Sequence, residues 1–272
     1  MNELYKGLRV TDNTPKRHLA QALDEINRRF YDRFADSFHQ SRVHGWAGWY
    51  EIVDQLPAHP LRILDLGCGN GRLSQFVETT LIDTHGHEIE HFYGLERCRD
   101  LLAFAAQRNT PFPATWSEWS WAPVLNDQSP ALAVDHEGVD WVTLFGIMHH
   151  VYGYERRLKL LIWAAAHLRV GGVLTISLWD FGAHEKWDKK KLPWVDYAES
   201  HGLDLTQLEP GDFLLGWSGM SDTPRYCHWV SREEEQRMLN DVVANAAVGL
   251  SAGFRAGNEG DLNRYWCWKR TS

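Results

Sequence analysis

The sequence predicts an α/β fold in which a mostly parallel sheet is covered by helices on both faces. Two observations carry this. From Leu61 to Leu168, short apolar runs of strand length alternate with segments whose apolar residues recur every three or four positions. That alternation is the pattern of crossovers between parallel strands. The first such run, 61–66, leads into three glycines at alternate positions, Gly67, Gly69 and Gly71, and then into a helical segment. Open sheets of this class bind ligands at such a turn, beyond the carboxyl ends of the strands.

The elements follow in order. Residues 1–17 are polar and mixed in charge and read as a loose tail. Leu19, Leu23, Ile26, Phe30 and Phe34 share one face of a helix over 19–34. Trp46, Trp49, Tyr50 and Val53 mark a second helix over 46–56, stopped by Pro57. Together they form an N-terminal helical segment, about 19–56. A strand at 61–66, a helix over 72–80, a strand at 91–95 and a helix over 100–108 come next. Residues 111–138 show no period; Trp116, Trp119 and Trp121 stand there among prolines and an acidic loop over 125–138. A strand at 141–147 precedes a helix with the face Leu158, Leu161, Ile162, Ala165 and Leu168, closed by Gly171 and Gly172 before a strand at 173–179. Residues 180–224 have loop composition, within an insertion of about 180–230. A helix over 232–246 and strand pieces at 248–255 and 264–269 finish the chain. The last two, joined by a turn at 257–261, read as a hairpin that adds an antiparallel edge strand. All of 1–272 reads as one domain.

The chain has 272 residues, 44% of them hydrophobic, which is enough for a large core. No apolar run approaches the roughly 18–20 residues of a membrane span, and 1–17 lack an apolar leader, so a cytoplasmic protein is expected. Cys68, Cys98, Cys227 and Cys267 are scattered, so neither a metal site nor a disulfide framework is expected. The net charge of −8 argues against general binding of nucleic acid, which needs clustered cations. One local cluster exists at Lys186, Lys189, Lys190 and Lys191. Fourteen tryptophans are an unusual number; most should pack and a few could stack on bases, and composition alone does not say which.

Asp65 stands at the end of the first strand, ahead of Gly67–Cys68–Gly69–Asn70–Gly71. An acidic residue before alternate glycines suits a cationic ligand with an amino-acid end better than a pyrophosphate. S-adenosylmethionine has such an end and a sulfonium. Glu96 ends the next strand, where a carboxylate can accept hydrogen bonds from ribose hydroxyls. Asp65, Gly67, Cys68, Gly69, Gly71 and Glu96, with Phe145 near the end of the strand at 141–147, are the expected cofactor residues.

Beyond this turn the chain resembles a family. Residues 139–150 end in His149–His150 and are followed by Glu155–Arg156–Arg157 and by Leu168–Arg169–Val170–Gly171–Gly172. Phe30–Tyr31–Asp32–Arg33–Phe34–Ala35, Phe38, Ser41–Arg42 and Trp46 resemble an entry helix of the same family. So do residues 211–217, the segment Pro224–Arg225–Tyr226–Cys227–His228, and the closing aromatic run 263–268. Over about 30–270 the chain looks like the tRNA (carboxymethyluridine) methyltransferases. It departs from them at Val170, where the family has proline, and around residues 114–119, where the family has an aspartate. Glu118 or Ser117 would take that place, against the adenine.

The resemblance implies a Rossmann-like class I methyltransferase fold with a seven-stranded sheet, S-adenosylmethionine as cofactor, and tRNA as partner. It implies methyl transfer to the carboxylate of a 5-carboxymethyl-type uridine. It also implies a small zinc-binding activator protein, for which Trp116–Trp121 would be a candidate surface. A carboxylate is already ionised at neutral pH and needs positioning rather than a base. Arg42 and Arg225 suit bidentate carboxylate contacts, Tyr31 could donate a hydrogen bond, and His150 and His228 complete the candidate set. Two other readings stay open: a methyltransferase for a small acid or hydroxyl compound, and a cofactor-binding subunit without catalysis.

Overall fold

Leu61–Leu66 is buried at every position, as a central strand must be when helices cover both faces. The computed structural model describes residues 14–128, 132, 134, 137–217, 220–257 and 262–272. Its main sheet has seven strands: β1 (Leu61–Leu66), β2 (Ile89–Glu96), β3 (Ala114–Glu118), β4 (Val139–Leu144), β5 (Leu168–Trp179), β9 (Val248–Ala256) and β10 (Asn263–Arg270). Their order is β3-β2-β1-β4-β5-β10-β9. The first five run parallel, and the β9–β10 hairpin brings in β10 antiparallel to both β5 and β9. The turn expected at 257–261 lies, past Gly257, outside the described residues. The chain winds outward from β1 to β3, then returns to β4 on the other side of β1. The crevice between the ends of β1 and β4 is the switch point of the sheet.

Helices cover the two faces. On one lie α5 (Ala122–Leu125), α6 (Tyr154–Ala165) and α8 (Arg232–Asn245), packed on Leu64, Val142, Leu174 and Trp268. On the other lie α2 (Ala47–Tyr50) and α3 (Arg72–Phe76), packed on Ile63, Phe92, Trp141 and Tyr265. Helix α3 continues as a π-turn over Val77–Ile82, and α4 (Arg99–Ala106) follows β2. The helix expected over 46–56 is one turn of α followed by a 3₁₀ turn at Val53–Gln55, because so short a segment is held by packing rather than by propagation.

Helix α1 (Thr14–Ser41) exceeds the expected 19–34 at both ends, so residues 14–17 of the expected tail are helical and 1–13 lie outside the described residues. The predicted face is buried, from Phe30 at 0% exposed to Phe34 at 6%. Phe34 itself departs from helical dihedrals (φ −111°, ψ 17°) and redirects the last turns.

The unreadable stretch after Pro111 contains β3 and α5. At β3 no residue is fully buried, so an edge strand there has no apolar run to reveal it. The larger difference concerns 180–224, expected as loop. It holds β6 (Lys191–Leu192), α7 (Trp194–His201), β7 (Asp212–Trp217) and most of β8 (Met220–His228), and the strands form a second, antiparallel sheet. These strands pack on α1 through Leu214 and Tyr226, and Asn27 Oδ1 accepts from Tyr226 N at 2.8 Å. Helix α1 and the small sheet thus form a cap at the end of β4.

Candidate active site

Between cap and sheet lies a cavity of about 710 Å³. At its sheet end, Gly67, Gly69 and Gly71 all have positive φ, at 76°, 55° and 74°. A Cβ at Gly67 would lie 2.1 Å from Ile147 Cδ1, whereas Gly69 meets only Phe38, at 3.8 Å. The open side of the turn at Gly69 is the close approach that glycine permits. Asp65 is 3% exposed and accepts from Thr143 Oγ1 at 2.6 Å. Burial pushes its carboxyl up to about 7, with the Thr143 bond opposing and the Glu96 charge adding to the rise. The Arg72 charge also opposes the rise but does not cancel it, so the buried carboxyl would gain from a further cation.

Glu96 accepts three backbone N–H bonds: Arg97 and Cys98 on Oε1, both 2.8 Å, and Gly69 on Oε2, 2.9 Å. Burial still raises its pKa against these bonds. Oε2 keeps a lone pair for a ribose hydroxyl. Cys68 and Phe145 also line the cavity. The thiol of Cys68 is pushed well up by burial and by the Asp65 and Glu96 charges, so it takes no part as a nucleophile. The donor set fits S-adenosylmethionine: a cation-seeking carboxyl, a hydroxyl-accepting carboxyl, and a turn open to a ligand.

Glu118 is a correction. Its backbone pairs with Glu96, but its side chain points outward to Arg99 at 2.8 Å and is half exposed. Neighbouring residues leaving a strand face opposite ways, so Trp119 is the one that turns inward. Trp119 and Trp121, each 8% exposed, wall the cavity beyond Glu96. The Trp119 ring stacks on Trp163 at 5.5 Å, and its indole Nε1 is buried without an acceptor. With these rings inside and Trp116 packed on Phe92, the segment 116–121 does not form the exposed apolar surface considered for an activator.

The cap end of the cavity gathers Tyr31, Arg42, His150 and Arg225. His150 closes the 3₁₀ turn Met148–His150 after β4. Its Nδ1 lies 3.0 Å from the Tyr226 carbonyl, which can only accept, so Nδ1 carries the proton. Burial, then Arg225, pushes the imidazole down to about 3. Neutral Nε2 therefore accepts, and the Tyr31 hydroxyl donates to it at 2.9 Å. The role expected of Tyr31, donation to a substrate, is thus taken by His150.

Arg225 is 5% exposed, and its Nε has no acceptor. Among the described residues no carboxylate pairs with it. Its guanidinium lies 5.0 Å from the Trp179 ring, 5.3 Å from Trp217 and 5.4 Å from Phe30. Arg42 lies over Phe38 and Trp217, and among the described residues its guanidinium donates to its neighbour Ser41 alone, at 3.3–3.4 Å.

His228 is a second correction. It alternates with Arg225 and Cys227 on β8 and faces away from the cavity. Asp212 Oδ1 lies 2.7 Å from its Nδ1 and Glu234 Oε2 lies 2.8 Å from its Nε2. Glu209 is nearby, but Arg157 bonds Glu209 and Glu234 and supplies the cation that this acidic cluster would otherwise take from a metal. Of the lysine cluster, Lys186 and Lys190 line the cavity, and Lys191 pairs with Asp188 at 2.6 Å.

Arg72 was not anticipated. It follows the glycine turn, lines the cavity, and lies 4.8 Å from the Trp46 ring. Burial and the Arg42 charge lower it to about 10. Its place directly after Gly71 was the available signal. Trp187 gave none, because its segment had loop composition.

No family model matches the chain. A protein of Encephalitozoon cuniculi named "Putative methyltransferase" is 24% identical over 213 residues, 78% of this chain and 84% of that protein. Among solved structures, an S-adenosylmethionine-dependent methyltransferase of Methanosarcina mazei aligns with TM-score 0.56 and 14% identity, over 81% of this chain and 97% of its own. CalS10, an amino pentose methyltransferase of Micromonospora echinaspora solved with S-adenosylmethionine bound, aligns with TM-score 0.50 and 17% identity, over 87% and 96%. The chain is therefore built on the Rossmann-like, class I fold of the S-adenosylmethionine-dependent methyltransferases.

Proposed function

We propose that the chain, an S-adenosylmethionine-dependent methyltransferase, methylates the carboxylate of a 5-carboxymethyl-type uridine in tRNA. The observation that carries the carboxylate is Arg225: a buried guanidinium boxed by Phe30, Trp179 and Trp217, with no carboxylate partner among the described residues, lining the same cavity as Asp65. An isolated buried cation is costly, and a bidentate carboxylate is its natural complement. The state of His150 supports the same reading. A histidine held neutral down to about pH 3, with Nδ1 committed to Tyr226, is a poor general base. A hydroxyl acceptor would need one, and a carboxylate does not.

S-adenosylmethionine supplies a methyl group on a sulfonium leaving group, which departs as a neutral thioether when a carboxylate oxygen forms the new bond. The chain's residues do the positioning. Asp65 and Arg72 suit the charged amino-acid end, and Glu96 the ribose. Arg225 orients the carboxylate, and Trp179 and Trp217 offer faces on which an unstacked base can lie. Support for tRNA as the carrier comes from the matched segments at Tyr31–Arg42, His149–His150 and Arg225–His228.

The test uses methyl-labelled cofactor with tRNA that carries unmethylated carboxymethyluridine, beside a panel of small carboxylic acids. Base-labile label in the tRNA is expected, with kcat/KM falling about 100-fold or more in Arg225→Ala. Arg225→Lys should not restore it, because an ammonium lacks the planar fork. Label in the small acids alone would overturn the tRNA acceptor.

A further inference from the structure

The mouth of the cavity holds more positive charge than one carboxylate needs. Apart from Arg72 at the glycine turn and Lys186, its cations fall into two groups. Arg28 is held by Glu25 and Asp32, and Arg97 by Asp24. Arg42, Arg225 and Lys190 have no carboxylate partner among the described residues, and their neighbours are aromatic rings. These rings form an arc. Lys190 Nζ lies 4.3 Å from Trp187, and Trp187 meets Trp179 edge-to-face at 4.6 Å. Arg225 lies 5.0 Å from Trp179 and 5.3 Å from Trp217, and Arg42 lies 5.7 Å from Trp217. The buried cation is in the middle, with one more accessible cation at each end.

The three charges disfavour one another. Burial, then Arg225, lowers the pKa of Arg42; burial, then Arg225 and Arg42, lowers that of Lys190. In a chain with net charge −8, an uncompensated cluster of this kind marks a local anion site rather than a general field. A carboxylate on Arg225 would satisfy the centre and leave both ends uncompensated.

We propose that Arg42 and Lys190 form a phosphate subsite that grips the two phosphodiesters flanking the acceptor nucleotide, so that the substrate is an internal nucleotide of a single strand and not a free nucleoside. The inference rests on the carboxylate reading for the middle of the arc. The nucleotide carries one phosphodiester on each side of the sugar, and its base lies among the tryptophans between the two cations. The short 3₁₀ segment Glu185–Lys190, which supplies Trp187 and Lys190, thereby becomes part of the substrate site.

The experiment compares two acceptors: the nucleoside 5-carboxymethyluridine, and a trinucleotide carrying it in the middle. In parallel, calorimetry follows binding of the unmodified uridine trinucleotide to protein loaded with demethylated cofactor. The trinucleotide is expected to exceed the nucleoside in kcat/KM by about 100-fold. Two phosphate contacts give a log–log salt slope near about −1.4 for single strands. Lys190→Gln and Arg42→Gln should each reduce the trinucleotide-to-nucleoside ratio about tenfold and the slope by about 0.7, and Lys190→Arg should restore both. Equal methylation of the two acceptors, or a slope that both Gln variants leave intact, overturns the subsite. Binding with the expected slope but no methylation of either acceptor removes the carboxylate reading and keeps the subsite. Neither binding nor methylation removes both.

Discussion

Asp65, next to the end of β1, is a buried carboxyl that accepts from Thr143, and burial raises it to about 7. For an acid raised in the folded state, the stabilising condition is low pH: the protonated form fits the fold, and stability falls as pH rises through about 7. A cation bound beside it reverses the preference, because the ionised form then has a partner. S-adenosylmethionine affinity should therefore weaken as pH drops from about 8 to about 6, and binding near pH 7 should release protons. Titration calorimetry in buffers of different ionisation enthalpy reads both. Asp65→Asn should bind more weakly at pH 8 and lose the pH dependence; a variant that kept it would move the effect to another group. At the same scale, Arg225 and His150 show why identity alone says little about role. Both were candidates from the sequence, yet only their surroundings make one an unpaired cation and the other a neutral acceptor.

At the scale of elements, β8 separates two functions by strand alternation. Arg225 and Cys227 face one side; Tyr226 and His228 face the other, toward Asp212 on β7. Burial alone would lower the pKa of His228, but the bonds to Asp212 and Glu234 raise it. Stability from this bridge is complete below about 6.5, the unfolded value, and is lost as pH rises through the higher folded value. His228→Ala should cost about 3 kcal/mol at pH 6, the scale of breaking a buried ionic pair, and less at pH 9. Chemical denaturation at the two pH values checks this; an equal cost at both would show the histidine neutral in the fold. Helix α1 makes a similar point. Its apolar face was legible because period 3.6 survives in any context, but the kink at Phe34 was not. Beyond the kink, Asn70 Nδ2 reaches Arg42 O and His39 Nδ1, both at 3.1 Å, so contacts with the glycine turn hold the redirected end.

For the whole molecule, the cavity lies between sheet and cap, so a ligand there joins parts distant in sequence. Ligand binding to the folded state alone adds about 2.7 kcal/mol at a concentration 100 times Kd. For a chain of 272 residues this amounts to a rise in Tm of roughly 5 °C. Differential scanning calorimetry with and without S-adenosylmethionine measures it; an unchanged Tm at saturating concentration would argue against the cofactor site. Among the described residues no helix is long and apolar enough to cross a membrane.

The sequence by itself determined the parallel sheet and its glycine turn, because buried strands are continuous apolar runs and a glycine spacing survives without any tertiary partner. It also marked Asp65, Glu96, Arg42, Arg225 and His150 as residues of interest. The tertiary structure alone decided which of them meet. The edge strand β3 has no buried run to reveal it, and the apolar stretch Phe213–Leu215 of β7, though buried on both faces, is too short to announce a sheet by itself; the side chains of these strands take direction from pairing. That pairing turned Trp119 inward and Glu118 outward, set His228 against Asp212 rather than the cavity, and brought Lys190 to the same mouth as Arg42. Such positions depend on which strand lies beside which, and that is a property of contacts distant in the chain.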